Sequence, residues 1–149
     1  MTTGHDKLHI TVMLTARSDG TKLRPFILLP RIRPDKAIEK KFNNKLQLCW
    51  AGKTFFNDEL TAEYLGKIIG PPLFGKRLLA WDSYRCHISK SSKKVIKQLQ
   101  IDTAVIPGGC TKFIQVWFFL KNFNYIFRLL TFIGTRRLKQ RFVSSTKIG

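Results

Sequence analysis

Apolar and polar residues alternate along the first thirty positions. In "KLHITVMLTA", residues 7–16, one face of a strand carries Leu8, Ile10, Val12 and Leu14, and the other carries His9, Thr11, Met13 and Thr15. Asp19-Gly20 marks a tight reversal, and "KLRPFILLP" predicts the return strand of a β-hairpin. Pro25 favours an edge position or a bulge for that strand, because proline cannot donate to a sheet ladder.

The following stretch predicts short elements. "RIRPDKAIEKKFNNK", residues 31–45, is polar and basic and predicts a loop or a short helix, and "LQLCWAG" predicts a short strand. Asn57 is typical of a helix N-cap, because two acids follow it and apolar residues then recur at helical spacing. Gly70 and the two prolines after it end that helix.

A strand–helix–strand unit comes next. "KRLLAWDSY" predicts a buried strand, and "SKSSKKVIKQLQI" predicts a helix with Val95, Ile96 and Leu99 facing inward. "DTAVIPGG" predicts a second buried strand, so the two strands are expected to pair in parallel across the helix. The hairpin and this unit together predict an α/β fold, with one mixed sheet flanked by helices.

The charge balance narrows the function. Lys and Arg number 27 against 9 Asp and Glu, a formal net charge of +18. Like charges repel in a compact state, so a polyanionic partner, nucleic acid first, explains this excess best. Acidic membrane and simple solubility are the alternatives. No motif points to a small-molecule substrate, and nothing in the sequence predicts the oligomeric state.

Two further features bear on compartment. Three widely spaced cysteines without a CxxC pair fit a reducing environment and disfavour a zinc site. The N-terminus lacks the apolar core of a signal peptide. The most apolar window, residues 113–133, is interrupted by Lys121 and Arg128 and is a poor membrane span, so no membrane partner is expected.

Two basic clusters are candidate nucleic-acid contacts. The predicted helix at residues 89–101 carries Lys90, Lys93, Lys94 and Lys97, which would either contact phosphate or form a solvated face. The tail "TRRLKQRF" contributes Arg136, Arg137, Lys139 and Arg141 and is typical of a nuclear-localisation or nucleic-acid patch, although short basic clusters are common. We expect the protein in the nucleus.

Three motifs carry a family resemblance. "TTGHDKLHITVMLTARSDGTKLRPFILL", "LLAWDSYRCH" and "IDTAVIPGGCTKFIQ" resemble the DDE superfamily endonuclease domain of pogo/Tigger-type transposases, in order and spacing. The resemblance implies a ribonuclease-H-like fold whose first strand is missing. It covers a partial DDE-like domain at residues 1–115. Residues 116–149 form a divergent basic, Phe-rich segment with 7 basic residues and no acids.

The resemblance also implies a metal site and its loss. The family holds two divalent ions with three acids, because cleavage by two metals needs carboxylates to fix both. Asp82 matches the second acid. The first acid lies on the missing strand, and Phe118 stands where the third acid is expected, in a register that Asn122 supports. We therefore expect a nucleic-acid-binding remnant without catalysis and without a cofactor. The alternative is an endonuclease using Mg²⁺ or Mn²⁺, completed by a longer isoform or a partner.

Asp82 and its neighbours also have plain structural interpretations. Asp82 is either a vestigial metal ligand, weak at best, or a turn-former and cap. His87 either contacts metal or phosphate or is structural. Ser83 and Ser89 suit helix entry. Asp102 opens its strand while Asp82 closes the neighbouring one, so we expect the two to lie about 13–16 Å apart, too far to share an ion.

Overall fold

The computed structural model describes residues 9–71, 75, 77–110 and 137–142, and within them the fold is mixed α/β. The strands are β1 (His9–Leu14), β2 (Phe26–Leu29), β3 (Gln47–Trp50), β4 (Arg77–Asp82), β5 (Ile101–Ile106) and β6 (Arg137–Phe142). The α-helices are α1 (Lys36–Phe42), α2 (Asp58–Tyr64) and α3 (Lys90–Gln98), and a π-helical turn, Leu65–Ile69, extends α2.

The predicted hairpin is present. β1 and β2 pair antiparallel, with Val12 opposite Ile27. Between them Gly20 adopts a φ of 82°, which favours glycine, and the side chain of Asp19 accepts a hydrogen bond from the Thr21 amide at 2.7 Å. The Asp-Gly signal therefore fixes the reversal.

The hairpin lies inside a four-stranded sheet of order β3-β2-β1-β6. β3 pairs in parallel with β2, and β6 pairs in parallel with β1. The expected edge position or bulge at Pro25 is wrong, because β2 lies between two partners. Pro25 precedes the first strand residue, so its missing N–H costs no ladder bond, while its carbonyl accepts from the Gln47 amide at 2.8 Å.

The strand–helix–strand unit forms a second sheet. β4 and β5 pair in parallel, with Arg77 opposite Ile101 and Asp82 opposite Ile106, and α3 connects them. The prediction of one mixed sheet is wrong for the described strands, which form two sheets. β1 already has β2 on one side and β6 on the other, so it offers no edge to β4.

Alternate residues of β1 enter two hydrophobic clusters. One cluster packs α1 against strands β1, β2 and β3. It consists of Ile10, Val12, Leu14, Ile27, Leu29, Ile38, Phe42, Leu46 and Leu48. The central cluster joins both sheets to α2 and α3 and contains Met13, Phe26, Leu28, Cys49, Phe56, Tyr64, Leu65, Leu79, Trp81, Ile96 and Ile101. Two threonines of this segment are also buried: Thr11 lies on β1, and Thr15 follows it, with its hydroxyl 2.5 Å from that of Tyr64.

Strand β5 differs from its prediction as a buried strand. Ile101 is buried, but residues 102–105 are exposed. Among the described strands β5 pairs with β4 alone, so it is an edge strand of that sheet. The apolar residues Ala104 and Val105 suggested burial, but both are exposed on this strand.

Arg77 anchors two helix ends to β4. Its guanidinium donates to the carbonyl oxygens of Ile69, Gly70 and Leu99 at 2.9, 2.8 and 3.1 Å. These carbonyls end the π-helical turn and α3, where a cation is favourable. Burial lowers the pKa of Arg77, and nearby Arg17 lowers it further. No helix in the described ranges is long and apolar enough to cross a membrane.

Candidate functional site

Asp82, the last residue of β4, uses its carboxylate locally. Its Oδ1 accepts a hydrogen bond from the Tyr84 amide at 3.1 Å and lies 2.6 Å from Nδ1 of His87. The side chain of Asp82 is 24% exposed, and that of His87 is 1% exposed. The carboxylate therefore closes a turn and holds the histidine.

His87 is enclosed by aromatic rings. Its imidazole stacks on the Trp81 indole, with ring centroids 4.4 Å apart and planes 5° apart, and it meets Tyr84 edge-on at 5.5 Å. Nε2 of His87 is buried without a hydrogen-bond partner in the described part of the chain, as is Nε1 of Trp81. The histidine is a buried residue in this geometry.

The carboxyl ends of β4 and β5 meet. Asp82 lies opposite Ile106, and the turn at residues 107–110 follows directly. A Cβ on Gly108 would lie 3.7 Å from the Ser83 hydroxyl, so the turn packs beside the residue after Asp82. Ser89, as predicted, caps a helix: its hydroxyl accepts from the Ser92 amide at 3.1 Å.

The described residues do not fit a two-metal centre. Asp102 lies opposite Leu78, four residues along the ladder from Asp82, which is about 13 Å at the usual strand rise. No group of three His, Cys, Asp or Glu side chains that could hold an ion occurs within the described ranges. Phe118, the expected position of the third acid, lies outside them. One carboxylate with two protein partners cannot fix two dications.

All four lysines that were predicted on α3 are exposed: Lys90, Lys93, Lys94 and Lys97. No ion pair of the described residues involves any of them. The opposite face of α3 packs inward through Val95 and Ile96, as predicted. The helix therefore presents an uncompensated basic face to solvent.

The basic tail is placed only in part. Arg137, Lys139 and Arg141 lie on β6, opposite His9, Thr11 and Met13 of β1. Arg136 lies outside the described residues. β6 belongs to the four-stranded sheet and α3 covers the two-stranded one, so the two predicted basic clusters belong to different parts of the fold.

The sequence interpretation missed the loop contacts around Asp82. The Cys86 thiol donates to the Phe56 carbonyl at 3.2 Å, which joins the loop after β4 to the loop after β3. Burial raises the pKa of Cys86, and Asp58 raises it further. The missed signal was the apolar pair Phe55-Phe56 directly before the α2 cap.

The described residues define a small α/β domain with a basic helical face. Over 119 residues the chain is 29% identical to "Pogo transposable element with KRAB domain" of mouse and of human. Each alignment covers 77% of this chain and 19% of the relative, so the chain spans about a fifth of the relatives' length. No family model and no solved structure matches. The chain is a distant relative of pogo-derived proteins, which supports a transposase-related origin.

Proposed function

We propose that the chain is a remnant of a transposase DDE domain that binds DNA, or nucleic acid generally, in the nucleus without cleaving it. The observation that carries this proposal is the exposed basic face of α3, Lys90, Lys93, Lys94 and Lys97. The distant relationship to pogo-derived proteins gives it context, because a transposase acts on DNA.

The face has the dimensions of a short phosphate track. Lys90 and Lys97 are seven residues apart, about 10 Å along a helix. A duplex presents one phosphate per about 1.7 Å of its axis, so four exposed lysines can meet at most four of them. Three to four contacts would release as many counterions, which makes affinity steeply dependent on salt.

The test is a salt series of binding isotherms with a labelled duplex. With three to four contacts on α3, the affinity is expected to fall at least about 40- to 150-fold between 50 and 200 mM salt. In the quadruple variant K90Q/K93Q/K94Q/K97Q, the slope of the logarithm of the binding constant against the logarithm of salt concentration should become shallower by about three to four. The matched control K22Q/R24Q/K36Q/K40Q removes four exposed charges from the hairpin and α1. An equal loss in both variants, or affinity that is independent of salt, would contradict the proposal.

The second candidate is a metal-dependent endonuclease completed by a longer isoform or a partner subunit. It is favoured by one observation, the position of Asp82 at the carboxyl end of β4 beside the turn at residues 107–110. A plasmid-nicking assay with Mg²⁺ or Mn²⁺ compares the chain with its Asp82→Asn variant. The non-catalytic proposal expects that neither protein cuts the plasmid. Cuts that require both the metal and Asp82 would overturn it in favour of the endonuclease.

A further inference from the structure

Three loops lie side by side at the carboxyl ends of β2, β3 and β4. The Gly52 amide donates to the Arg31 carbonyl at 3.4 Å, which joins the loop after β2 to the loop after β3. The Phe56 carbonyl accepts from the Cys86 thiol, which joins the second loop to the loop after β4. We call residues 30–33, 51–56 and 83–88 together the edge loops.

The edge loops expose apolar side chains. In the described part of the chain the exposed large hydrophobic residues are Ile32 at 78%, Phe55 at 52%, Val105 at 45% and Ile88 at 43%. Three of these four lie in the edge loops, one in each loop, and Val105 is one residue from the carboxyl end of β5. Single exposed apolar residues are ordinary, but their collection on one edge indicates a contact surface.

Cations alternate with these apolar side chains. Arg31 and Arg33 flank Ile32, Lys53 is two residues from Phe55, and Arg85 is three residues from Ile88, and all four are exposed. Arg31 forms an ion pair with Asp35 at 3.3 Å. The other three form no ion pair within the described residues. Two acids lie near the third loop: Asp82, which is bonded to Tyr84 and His87 within it, and Asp58, which acts on Cys86.

This alternation favours one kind of partner. A duplex presents phosphates but hides the faces of its bases, so it leaves Ile32 and Phe55 in contact with water. A single strand presents both, and every base can stack on an aromatic ring. Arginine and lysine beside the ring meet the phosphates on either side.

We propose that the edge loops bind single-stranded nucleic acid, with bases stacked on Phe55 and packed against Ile32 and Ile88, and phosphates on Arg33, Lys53 and Arg85. This deepens the proposed nucleic-acid function, on which it rests. In this arrangement α3 contacts phosphates of either a duplex or a single strand, and the edge loops recognise unpaired bases.

The test compares Phe55→Ala with Phe55→Tyr on a labelled single-stranded oligonucleotide and on its duplex. Phe55→Ala is expected to weaken single-strand binding about 5- to 100-fold and to change duplex binding less than about twofold, while Phe55→Tyr keeps both affinities. A thermal melt confirms that the variant folds, as expected for a side chain that is half exposed.

The outcomes separate the two proposals. Unchanged single-strand affinity in Phe55→Ala, with duplex binding still dependent on the α3 lysines, overturns the edge-loop assignment alone and points to a protein partner for the apolar edge. Equal losses on both probes also overturn it, because stacking acts only on exposed bases. If the unaltered protein binds neither probe, the proposed function itself fails.

Discussion

The imidazole of His87 lies parallel to the indole of Trp81 at a centroid distance of 4.4 Å, inside the loop that follows β4. The ring is held on one side by Asp82, which lies 2.6 Å from its Nδ1, while its Nε2 has no partner in the described part of the chain. The stack packs the residues after Asp82 against the central cluster.

Replacing the ring tests this role. His87→Ala is expected to lower the free energy of unfolding by about 2–3 kcal/mol, because it leaves a cavity beside Trp81. His87→Phe keeps a ring in the stack but removes both nitrogens, and with them the contact between Nδ1 and Asp82, so its loss should be smaller, about 1–2 kcal/mol. Urea denaturation measures both. Equal losses would show that the hydrogen bond to Asp82 matters more than the stack.

Asp82 gives a second stability prediction. Asp82→Ala removes the acceptor of the Tyr84 amide and the partner of His87, and we expect a loss of about 1–3 kcal/mol. Asp82→Asn keeps an oxygen that can accept from the Tyr84 amide, so its loss should be smaller. Chemical denaturation of the two variants checks the order, and a stabilised Asp82→Ala protein would contradict the structural role.

Arg77 holds three carbonyls with one guanidinium. Arg77→Met keeps much of the side-chain volume but leaves those three carbonyls without their donor. We expect the free energy of unfolding to fall by about 2–3 kcal/mol. Arg77→Lys retains the charge without the planar guanidinium, so its stability should lie between those of the unaltered protein and the Met variant. Unfolding measurements test the order. Hydrogen exchange at the end of α3 should quicken in the Met variant, since Leu99 lies there.

The three thiols should differ in reactivity. Cys110 is exposed, whereas Cys49 and Cys86 are buried. A thiol reagent near neutral pH is therefore expected to label Cys110 quickly and the other two only as the protein unfolds. Mass spectrometry of the labelled peptides gives the order, with Cys110→Ser as the control that removes the fast phase.

Alkaline stability depends on Cys49. Burial, with Glu63 nearby, raises the pKa of Cys49 from 9.0 to about 11, so the folded protein keeps this proton after the unfolded chain has lost it. The contribution of the protonated Cys49 thiol to the free energy of unfolding is therefore complete below pH 9 and is lost as the pH rises towards 11. Cys49→Ala should flatten the decline of unfolding free energy over this range. Burial also raises the pKa of Tyr64, so only the difference between the two proteins reports on Cys49.

Local patterns predicted the local structure well. The Asp19-Gly20 reversal, the Asn57 cap and the inward face of α3 each depend on residues that are neighbours in sequence, where turn and helix chemistry act directly. The strand end at Asp82 followed from an apolar run that stops at an acid. These features could be derived from the sequence because few alternatives compete at short range.

The sheet arrangement and the edge loops could not be derived in the same way. The parallel pairing of β2 with β3 and of β1 with β6 joins distant segments, and no local residue pattern encodes either choice. Without the β2–β3 pairing, Ile32 and Phe55 were separate loop residues with no reason to lie together. The contact between His87 and Trp81 was missed because stacking depends on how the turn after Asp82 folds back.

The pairing of β6 with β1 has a consequence for synthesis. Residue 137 leaves the ribosome well over a hundred residues after its partner, residue 9. During translation one side of β1 therefore remains an open strand edge, which readily pairs with other chains. Closing such a distant contact is also slow. The nascent chain should depend on chaperone capture until the segment that completes its sheet has emerged.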